Sequence, residues 1–210
     1  IIMYDMKKIL LLGILLVQLM SACTSQPVAP TEGPSFHDVV TTRRSIRKYD
    51  ATKTISEAEV RQLLTLTQDA PSWANTQTTR YYVAMSPEKV EAVQGMIGDF
   101  NKRNVQGAPV LMVSTYERGK SGYFNGKATN EIGDGWGAHD NGLSNGYLVL
   151  IARSMGFDTL IMGMRDSDAL RTLFQIPENE TIMAVIALGY RAAEPNRPKR
   201  RPLDEIVSFY

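Results

Sequence analysis

The chain of 210 residues predicts a sandwich of helices and strands, of the α/β or α+β class. Segments with the periodicity of amphipathic helices alternate along it with short apolar segments rich in β-branched residues, and four of the latter have the character of strands. No internal repeat interrupts this alternation, and the length suits one domain or at most two. The pattern alone does not order the strands within a sheet.

Serine caps and periodic apolar residues predict where the helices begin and end. Ser35 and Ser56 each stand three residues before an acidic residue, Asp38 and Glu59, which is the spacing of a capping box. The helix that follows Ser56 must end near residue 70, because Pro71 comes next. Further helices are predicted from residue 87, over 139–155 and over 166–174. The first of these is expected to bury Val90, Val93, Ile97 and Phe100.

The predicted strands cover residues 80–85, 110–116, 159–162 and 181–188, and the last is apolar enough to be central. Residues 121–137 are rich in glycine and predict a long irregular loop, a feature that is often functional in a compact domain. His37 is expected to be exposed and His139 to have a local packing or capping role. Trp136 has two open interpretations, a core residue or part of a lid over a site.

The first 22 residues predict a secretory signal peptide. Lys7 and Lys8 precede an apolar run over 9–19, which is shorter than the roughly 20 residues of a transmembrane helix. The alternative is a buried core helix. Ser21-Ala22-Cys23 resembles the lipobox of bacterial lipoproteins, in which the cysteine is lipidated and becomes the first mature residue. The expected organisation is therefore a signal peptide over 1–22, a Pro-rich tether over 23–34 and a domain over 35–210, exported and lipid-anchored to a bacterial membrane in the periplasm or at the cell surface.

Charge and the scarcity of metal-binding side chains exclude several functions. Removal of residues 1–22 leaves as many Lys and Arg as Asp and Glu, which argues against nucleic-acid binding. Cys23 is the single cysteine, so its lipidation leaves no thiol for a disulfide, a nucleophile or an iron–sulfur cluster. The two histidines lack the spacing of a zinc site, and no metal is expected. Difficult chemistry must therefore come with an organic cofactor or depend on carboxylates alone.

Three short segments have side chains suited to ligand binding. Residues 42–49 place four cations and Ser45 at the end of the first helix, and arginine forks suit phosphate groups. Residues 71–77 offer amides and hydroxyls for the edge of a heterocycle, with Trp73 to pack against an apolar surface. Residues 198–202 hold three adjacent cations between two prolines. Taken singly, each segment has a plainer explanation: a solvated helix end, an ordinary helix-stop loop and a solvated charged tail.

Together and in this order, the three segments resemble those of the nitroreductase family. That family has an Arg-x-Ser-x-Lys/Arg element after its first helix, a Pro-Ser-x-x-Asn-x-Gln loop after its second, and a basic segment near its C-terminus. The resemblance covers roughly residues 36–206. It implies an α+β sandwich whose central, mostly antiparallel sheet is flanked by helices, and a homodimer with flavin mononucleotide (FMN) at the subunit interface.

The resemblance implies cofactor-binding roles residue by residue. The positions that match those holding the FMN phosphate and ribityl chain are Arg43, Arg44, Ser45, Lys199 and Arg201. The positions that match those around the flavin ring are Arg47 and Asn101 at its pyrimidine edge, Ser72 and Asn75 along the ring, and Ile161, Met162, Gly163 and Met164 beside the hydride-accepting nitrogen. Arg47 is the cation expected to raise the flavin potential.

Three departures from the family pattern bear on the substrate. Thr78-Thr79 follows Gln77 where many members have Pro-Trp, Asn104 stands where some members have a second cation, and Gly163 stands where some have a glutamate. Contacts to the substrate are therefore expected to differ, while the flavin-binding pattern is retained.

The resemblance implies an oxidoreductase that needs no catalytic side chain as a nucleophile. Reduced nicotinamide, NAD(P)H, would reduce FMN, and a small acceptor such as a nitroaromatic or a quinone would then be reduced in the same cleft. Nicotinamide cofactors are scarce outside the cytoplasm, so another donor, or another flavin reaction such as reductive dehalogenation or flavin breakdown, stays open. The alternative from a different class is a non-catalytic lipoprotein that binds flavin or serves as an interaction module of the cell envelope.

Overall fold

The computed structural model describes residues 33–210. The predicted signal peptide, Cys23 and the tether up to residue 32 lie outside the described residues. The helices are α1 (Phe36–Thr42), α2 (Glu57–Thr67), α3 (Pro87–Gln94), α4 (Gly98–Asn104), α5 (Gly135–Ser154) and α6 (Ser167–Phe174). Short 3₁₀ turns lie at Trp73–Asn75 and Leu203–Glu205. Within residues 33–210, no helix has the length and apolar character needed to cross a membrane.

Four strands form the central sheet: β1 (Thr79–Ala84), β2 (Val110–Glu117), β5 (Asp158–Met162) and β6 (Glu180–Gly189). Their order is β1-β2-β6-β5, and every neighbouring pair is antiparallel. A small hairpin of β3 (Tyr123–Phe124) and β4 (Lys127–Ala128) stands apart from that sheet. The predicted antiparallel sheet flanked by helices is confirmed, and the last strand is central, as its apolar sequence predicts.

Both faces of the sheet are covered, because successive side chains of a strand point to opposite faces. Val110 and Met112 of β2 join a core with α2 and α5, whereas Leu111 and Val113 join a second core with α3 and α6. β6 alternates in the same way, with Ile186 facing the first core. The strands at the centre are therefore buried on both sides, which explains their continuous apolar sequence.

The helix predicted from residue 87 is two helices in the structure. α3 ends at Gln94, and the chain resumes a helix only at Gly98, whose φ of +74° is a left-handed conformation that suits glycine. Val90, Val93 and Ile97 are buried as predicted. Phe100 is 63% exposed, so the prediction that it packs in the core is wrong. The apolar register of α3 therefore does not continue into α4.

The long helix α5 differs from prediction in its start and in its buried face. It begins at Gly135, inside the segment predicted as a loop, and it buries polar side chains against β2. Asn141 accepts a hydrogen bond from the Ser114 hydroxyl at 3.0 Å and donates to the Thr115 carbonyl at 2.9 Å. The β2–β6 register shifts between Ser114 and Thr115, and these bonds satisfy polar groups at that irregularity.

Candidate functional site

The first predicted binding segment lies along the edge of the sheet. α1 ends at Thr42, and the Arg43 N–H closes the helix by donating to the Val39 carbonyl at 3.0 Å. The chain then extends, and Ser45 pairs in parallel with Thr159 of β5. The bond from the Ile46 N–H to the Thr159 carbonyl is 3.0 Å long. This pairing fixes the direction of the segment relative to β5.

Arg43 and Ser45 line a pocket of about 380 Å³ together with Ile161 of β5. The remaining wall consists of Thr159 of β5 and residues of α5, namely Gly146, Val149 and Leu150. Three of the residues singled out from the sequence thus meet in one pocket, although Ile161 is more than a hundred positions from the other two. The lining thus combines one cation, Arg43, with the apolar side chains of Val149, Leu150 and Ile161.

The basic segment 198–202 affects Arg43 through the charge of Arg200, a residue that the sequence analysis did not single out. Burial, followed by the charges of Arg200 and Arg44, lowers the pKa of Arg43. Lys199 and Arg201, the two predicted residues, are exposed. Arg43 and Arg200 form no ion pair with any carboxylate within residues 33–210. Like charges held close together without an acid suit the binding of an anion.

Arg44 and Arg47, the other predicted arginines of this segment, are not among the residues that line the pocket. Arg44 donates from Nη1 to the carbonyls of Thr41 and Arg43 at 2.8 and 2.7 Å. Its Nε is buried without a hydrogen-bond partner among the described residues, which is an uncommon and costly state for a guanidinium donor. Arg47 is exposed and donates to the Ser45 carbonyl at 3.3 Å.

An ionic network anchors the start of this segment. Asp158 is buried at the start of β5 and is paired with Arg191, with distances of 2.8 Å from Nε to Oδ2 and 2.6 Å from Nη2 to Oδ1. Arg153 of α5 lies 3.7 Å from the same carboxylate and donates to the Thr42 hydroxyl at 3.2 Å. Hydrogen bonding to Asp158 raises the pKa of Arg191. The network therefore joins α1, α5, β5 and the segment after β6 immediately before Arg43.

The second predicted segment, residues 71–77, forms a tight loop around the 3₁₀ turn. Ala74, Asn75 and Gln77 have φ of 45°, 56° and 50°, a left-handed conformation that is uncommon for residues other than glycine. Ser72 Oγ accepts from the Gln77 N–H at 3.0 Å, and Asn75 Oδ1 accepts from Gln77 Nε2 at 3.2 Å. Ser72 and Asn75, the two residues predicted to contact the ring, therefore lie in one loop whose backbone is held by internal hydrogen bonds.

This loop does not share the Arg43 pocket. Ser72 and Gln77 line a different pocket of about 430 Å³, together with Tyr81, Asp140 and Ser144. Within one chain, the structure thus separates the predicted phosphate-binding residues from the predicted ring-binding loop.

The third group lies where β5 ends. Met162 is buried in the core, so only its backbone can face a ligand, whereas Gly163 is exposed. Asn101 of α4 donates to the Met164 carbonyl at 3.4 Å, which joins two predicted positions that are far apart in sequence. Arg165 was not predicted; it donates to the Gly163 carbonyl at 2.5 Å and also to the Ile182 carbonyl. Burial lowers the pKa of Arg165.

The contacts of the two histidines and of Trp136 indicate structural roles. His37 is exposed on α1, and His139 packs edge-on against Trp136 with ring centroids 5.4 Å apart. Trp136 Nε1 donates to Asn130 Oδ1 at 3.0 Å, so the indole ties the glycine-rich segment to the start of α5. No group of three or more metal-ligating side chains occurs within residues 33–210.

Curated proteins that are similar to this chain include two from bacteria. YdgI of Bacillus subtilis (strain 168), a protein named for NAD(P)H-dependent nitroreduction, is 26% identical over 203 residues, which cover 83% of this chain and 97% of YdgI. An NADH dehydrogenase of Thermus thermophilus is 26% identical over 189 residues, which cover 79% of this chain and 91% of that enzyme.

Solved structures share the fold. A protein of Exiguobacterium sibiricum 255-15 solved in complex with FMN superposes with a TM-score of 0.75 at 21% identity, covering 84% of this chain and 98% of that one. CLA-ER, an enone reductase of gut-bacterial fatty acid saturation, has a TM-score of 0.75 at 19% identity, with the same coverage. The model of the family described as "Nitroreductase family" matches residues 40–190, which span the whole central sheet. The chain therefore belongs to the nitroreductase family.

Proposed function

We propose that this protein is an FMN-dependent oxidoreductase that reduces small acceptors such as nitroaromatics or quinones. The observation that carries the proposal is the pocket where Arg43, Ser45 and Ile161 meet, next to the charge of Arg200. A phosphate dianion held there would find the Arg43 guanidinium and the Ser45 hydroxyl as donors. The FMN complex of the Exiguobacterium relative and the nicotinamide-dependent names of the curated relatives support the same cofactor and the same class of donor.

The residues present fit this cofactor. Arg43 lines the pocket and has no carboxylate partner among the described residues, so its guanidinium can donate to an anionic group bound there. Arg47 and Asn101 supply polar groups for the pyrimidine edge of a flavin, and the exposed Gly163 leaves its backbone free of a side chain. When bound, FMN supplies the redox chemistry by accepting hydride from a donor and passing it to an acceptor. The chain itself holds the phosphate, orients the ring and shapes the cleft.

We propose that two copies of the chain complete each site. The loop with Ser72 and Asn75 lines another pocket than Arg43 in the same chain, so a second copy can bring its own loop to the ring of a flavin whose phosphate lies at Arg43. The family resemblance supports this arrangement. If each flavin contacts residues of both copies, the protein must be a dimer to bind it.

The absorbance spectrum of the purified domain tests the proposed cofactor and activity. We expect the visible bands of a bound flavin, released on denaturation as FMN, and anaerobic bleaching by NADH or NADPH. A nitroaromatic or a quinone should then restore the oxidised spectrum. Bound FMN that no donor reduces would instead favour a flavin carrier, and a domain that takes up no FMN would favour an interaction module.

We also propose export and lipidation at Cys23, supported by the apolar run that ends in Ser21-Ala22-Cys23. In a bacterial host, the full chain should fractionate with membranes, and Cys23→Ala should appear as soluble or unprocessed protein. Ser25→Ala, two residues further on, is the matched control and should fractionate like the parent. Identical fractionation of Cys23→Ala and the parent would show that lipidation does not hold this protein at the membrane.

A further inference from the structure

Asp140 is a buried carboxylate at the start of α5, with 3% of its surface exposed. Its Oδ2 accepts two hydrogen bonds, from the Trp73 N–H at 2.9 Å and from the Ser121 hydroxyl at 2.7 Å. Among the described residues, the nearest basic group is the partly exposed His139 ring, with Nδ1 3.4 Å from Oδ1. A buried carboxylate is costly without strong donors, so these two bonds are its main compensation.

Ser121 extends the contact to the other end of the loop. Its single proton is donated to Asp140, so its oxygen must accept at its other contacts. The Thr76 hydroxyl lies 2.7 Å from Ser121 Oγ, and the Thr78 hydroxyl lies 3.3 Å from it. Asp140 therefore holds Trp73 directly and Thr76 through Ser121, and these two positions bracket Ala74 and Asn75.

The bracketed residues are the ones whose backbone needs external support. Ala74 and Asn75 are left-handed, Gln77 repeats the conformation, and the turn has no side-chain cap at its own start. Such conformations persist only when the surrounding structure determines them. The bonds within the loop, from Gln77 to Ser72 and Asn75, link loop residues only to one another, whereas Asp140 and Ser121 are buried in the fold.

We propose that Asp140 and Ser121 are positioning residues that hold loop 71–77 in the shape that presents Ser72 and Asn75 to the flavin ring. The flavin half of this proposal, that the loop presents Ser72 and Asn75 to a flavin ring, rests on the proposed function. The loop half, that Asp140 and Ser121 hold the loop in its shape, rests on the hydrogen bonds alone. Neither residue touches the Arg43 pocket, so their effect is on the ring end of the cofactor rather than on its phosphate.

Hydrogen–deuterium exchange of the flavin-free protein tests the loop half. Asp140→Ala and Ser121→Ala should each speed exchange of the amides of residues 73–77, with no comparable change in β2 or β6. Asp140→Asn should stay close to the parent, because one amide oxygen can accept both bonds that Oδ2 now accepts. Glu180→Gln is the matched control, since Glu180 is also buried and accepts from the hydroxyls of Tyr82 and Thr115 without contacting the loop.

Flavin titrations test the other half. Loss of the loop shape in Ser121→Ala or Asp140→Ala should weaken FMN and riboflavin to a similar extent, by about tenfold, because both ligands carry the same ring. Unchanged exchange at 73–77 in both alanine variants would overturn the positioning role, whether or not the parent binds flavin. A parent that binds no flavin would overturn the proposed function alone, and the exchange result would still decide whether Asp140 and Ser121 hold the loop.

Discussion

At the scale of single residues, the site is defined by cations that lack acidic partners among the described residues. Some arginines elsewhere in residues 33–210 have a carboxylate partner, as in the exposed pair of Arg61 with Glu57 and the buried pair of Arg191 with Asp158. Arg43 is partly buried next to further positive charge instead. Such an arrangement lowers the stability of the protein alone and is compensated when an anion binds.

Replacing Arg43 should separate phosphate recognition from ring recognition. Loss of one charge-assisted bond typically costs about 1.5–3 kcal/mol, so Arg43→Ala should weaken FMN by roughly tenfold or more. Riboflavin, which lacks the phosphate, should lose much less. Fluorescence titration with both ligands measures the difference, with Arg61→Ala as a control on the surface of α2.

The same titration ranks the three cations of the tail. The family resemblance singles out Lys199 and Arg201, whereas the structure brings the charge of Arg200 to bear on Arg43. Alanine at each position in turn shows which of them discriminates FMN from riboflavin. If Arg43→Ala and all three tail variants bound FMN as tightly as the parent, the basic segments would be solvated charge and the proposed phosphate site would be wrong.

Asp158 should matter for stability far more than an exposed acid does. Asp158→Asn removes the buried carboxylate that Arg191 and Arg153 share and leaves Arg191 with the exposed Glu194 alone. Breaking a buried pair costs about 3–5 kcal/mol. Glu57→Gln, which breaks the exposed pair with Arg61, should cost about 0.5 kcal/mol or less. Urea unfolding of the two variants measures both, and equal midpoints would contradict the anchoring role of Asp158.

At the scale of elements, the capping box of α2 gives a pH dependence. Glu59 accepts from the Ser56 hydroxyl and from the Ser56 N–H, both at 2.7 Å, and these bonds hold the pKa of Glu59 below its usual value near 4.5. A depressed folded-state pKa contributes stability above the unfolded-state pKa, and that contribution is lost as the pH falls through the folded-state value.

Glu59→Gln should therefore be less stable than the parent at pH 7, and the difference should shrink as the pH falls below about 4. Urea unfolding of the parent and the variant at pH 7, 5 and 3.5 measures the difference in their free energies of unfolding. Groups that titrate alike in both proteins do not contribute to this difference. Ser56→Ala, which removes the cap itself, should cost about 1 kcal/mol at pH 7. A stability difference for Glu59→Gln that grows towards acid pH would contradict the assignment.

Local patterns predicted most elements because local interactions determine them. Ser35 and Ser56 cap their helices as predicted, and the strand predicted over 80–85 is Thr79–Ala84. The break between α3 and α4 was missed because apolar spacing continues across it, and the left-handed turn at Gly98 leaves no trace in that spacing. The polar face of α5 was missed for a related reason: Asn141 is buried only because β2 offers it partners.

The site was predictable where a motif marks it and not where tertiary contact creates it. Arg43, Ser45 and Ile161, which the resemblance singles out, line one pocket. Asp140 meets Trp73 across 67 positions of sequence, and Arg200 acts on Arg43 across a longer span still, so neither role has a local signal. A lone aspartate beside a histidine at a helix start does suggest a polar role, but it does not reveal the partner.

At the scale of the whole molecule, we expect a homodimer in solution. Large apolar side chains are exposed on α1, on α5 and along the tail, among them Phe36, Val40, Tyr147, Leu203 and Ile206. Burial of such a surface in a second copy is favourable. Light scattering on residues 35–210 with flavin bound should give about twice the chain mass, and Tyr147→Asp should shift it towards one chain. A monomer that retains flavin would contradict the shared site.

The strand order has a consequence for how the chain folds. β6 lies between β2 and β5, yet it is the last strand to be synthesised. Until Glu180–Gly189 is available, β5 has no strand to pair with and one edge of β2 stays open, so neither core can close. A nascent chain therefore remains without its native sheet until synthesis is nearly complete, and truncation before Glu180 should yield an aggregation-prone chain rather than a smaller domain.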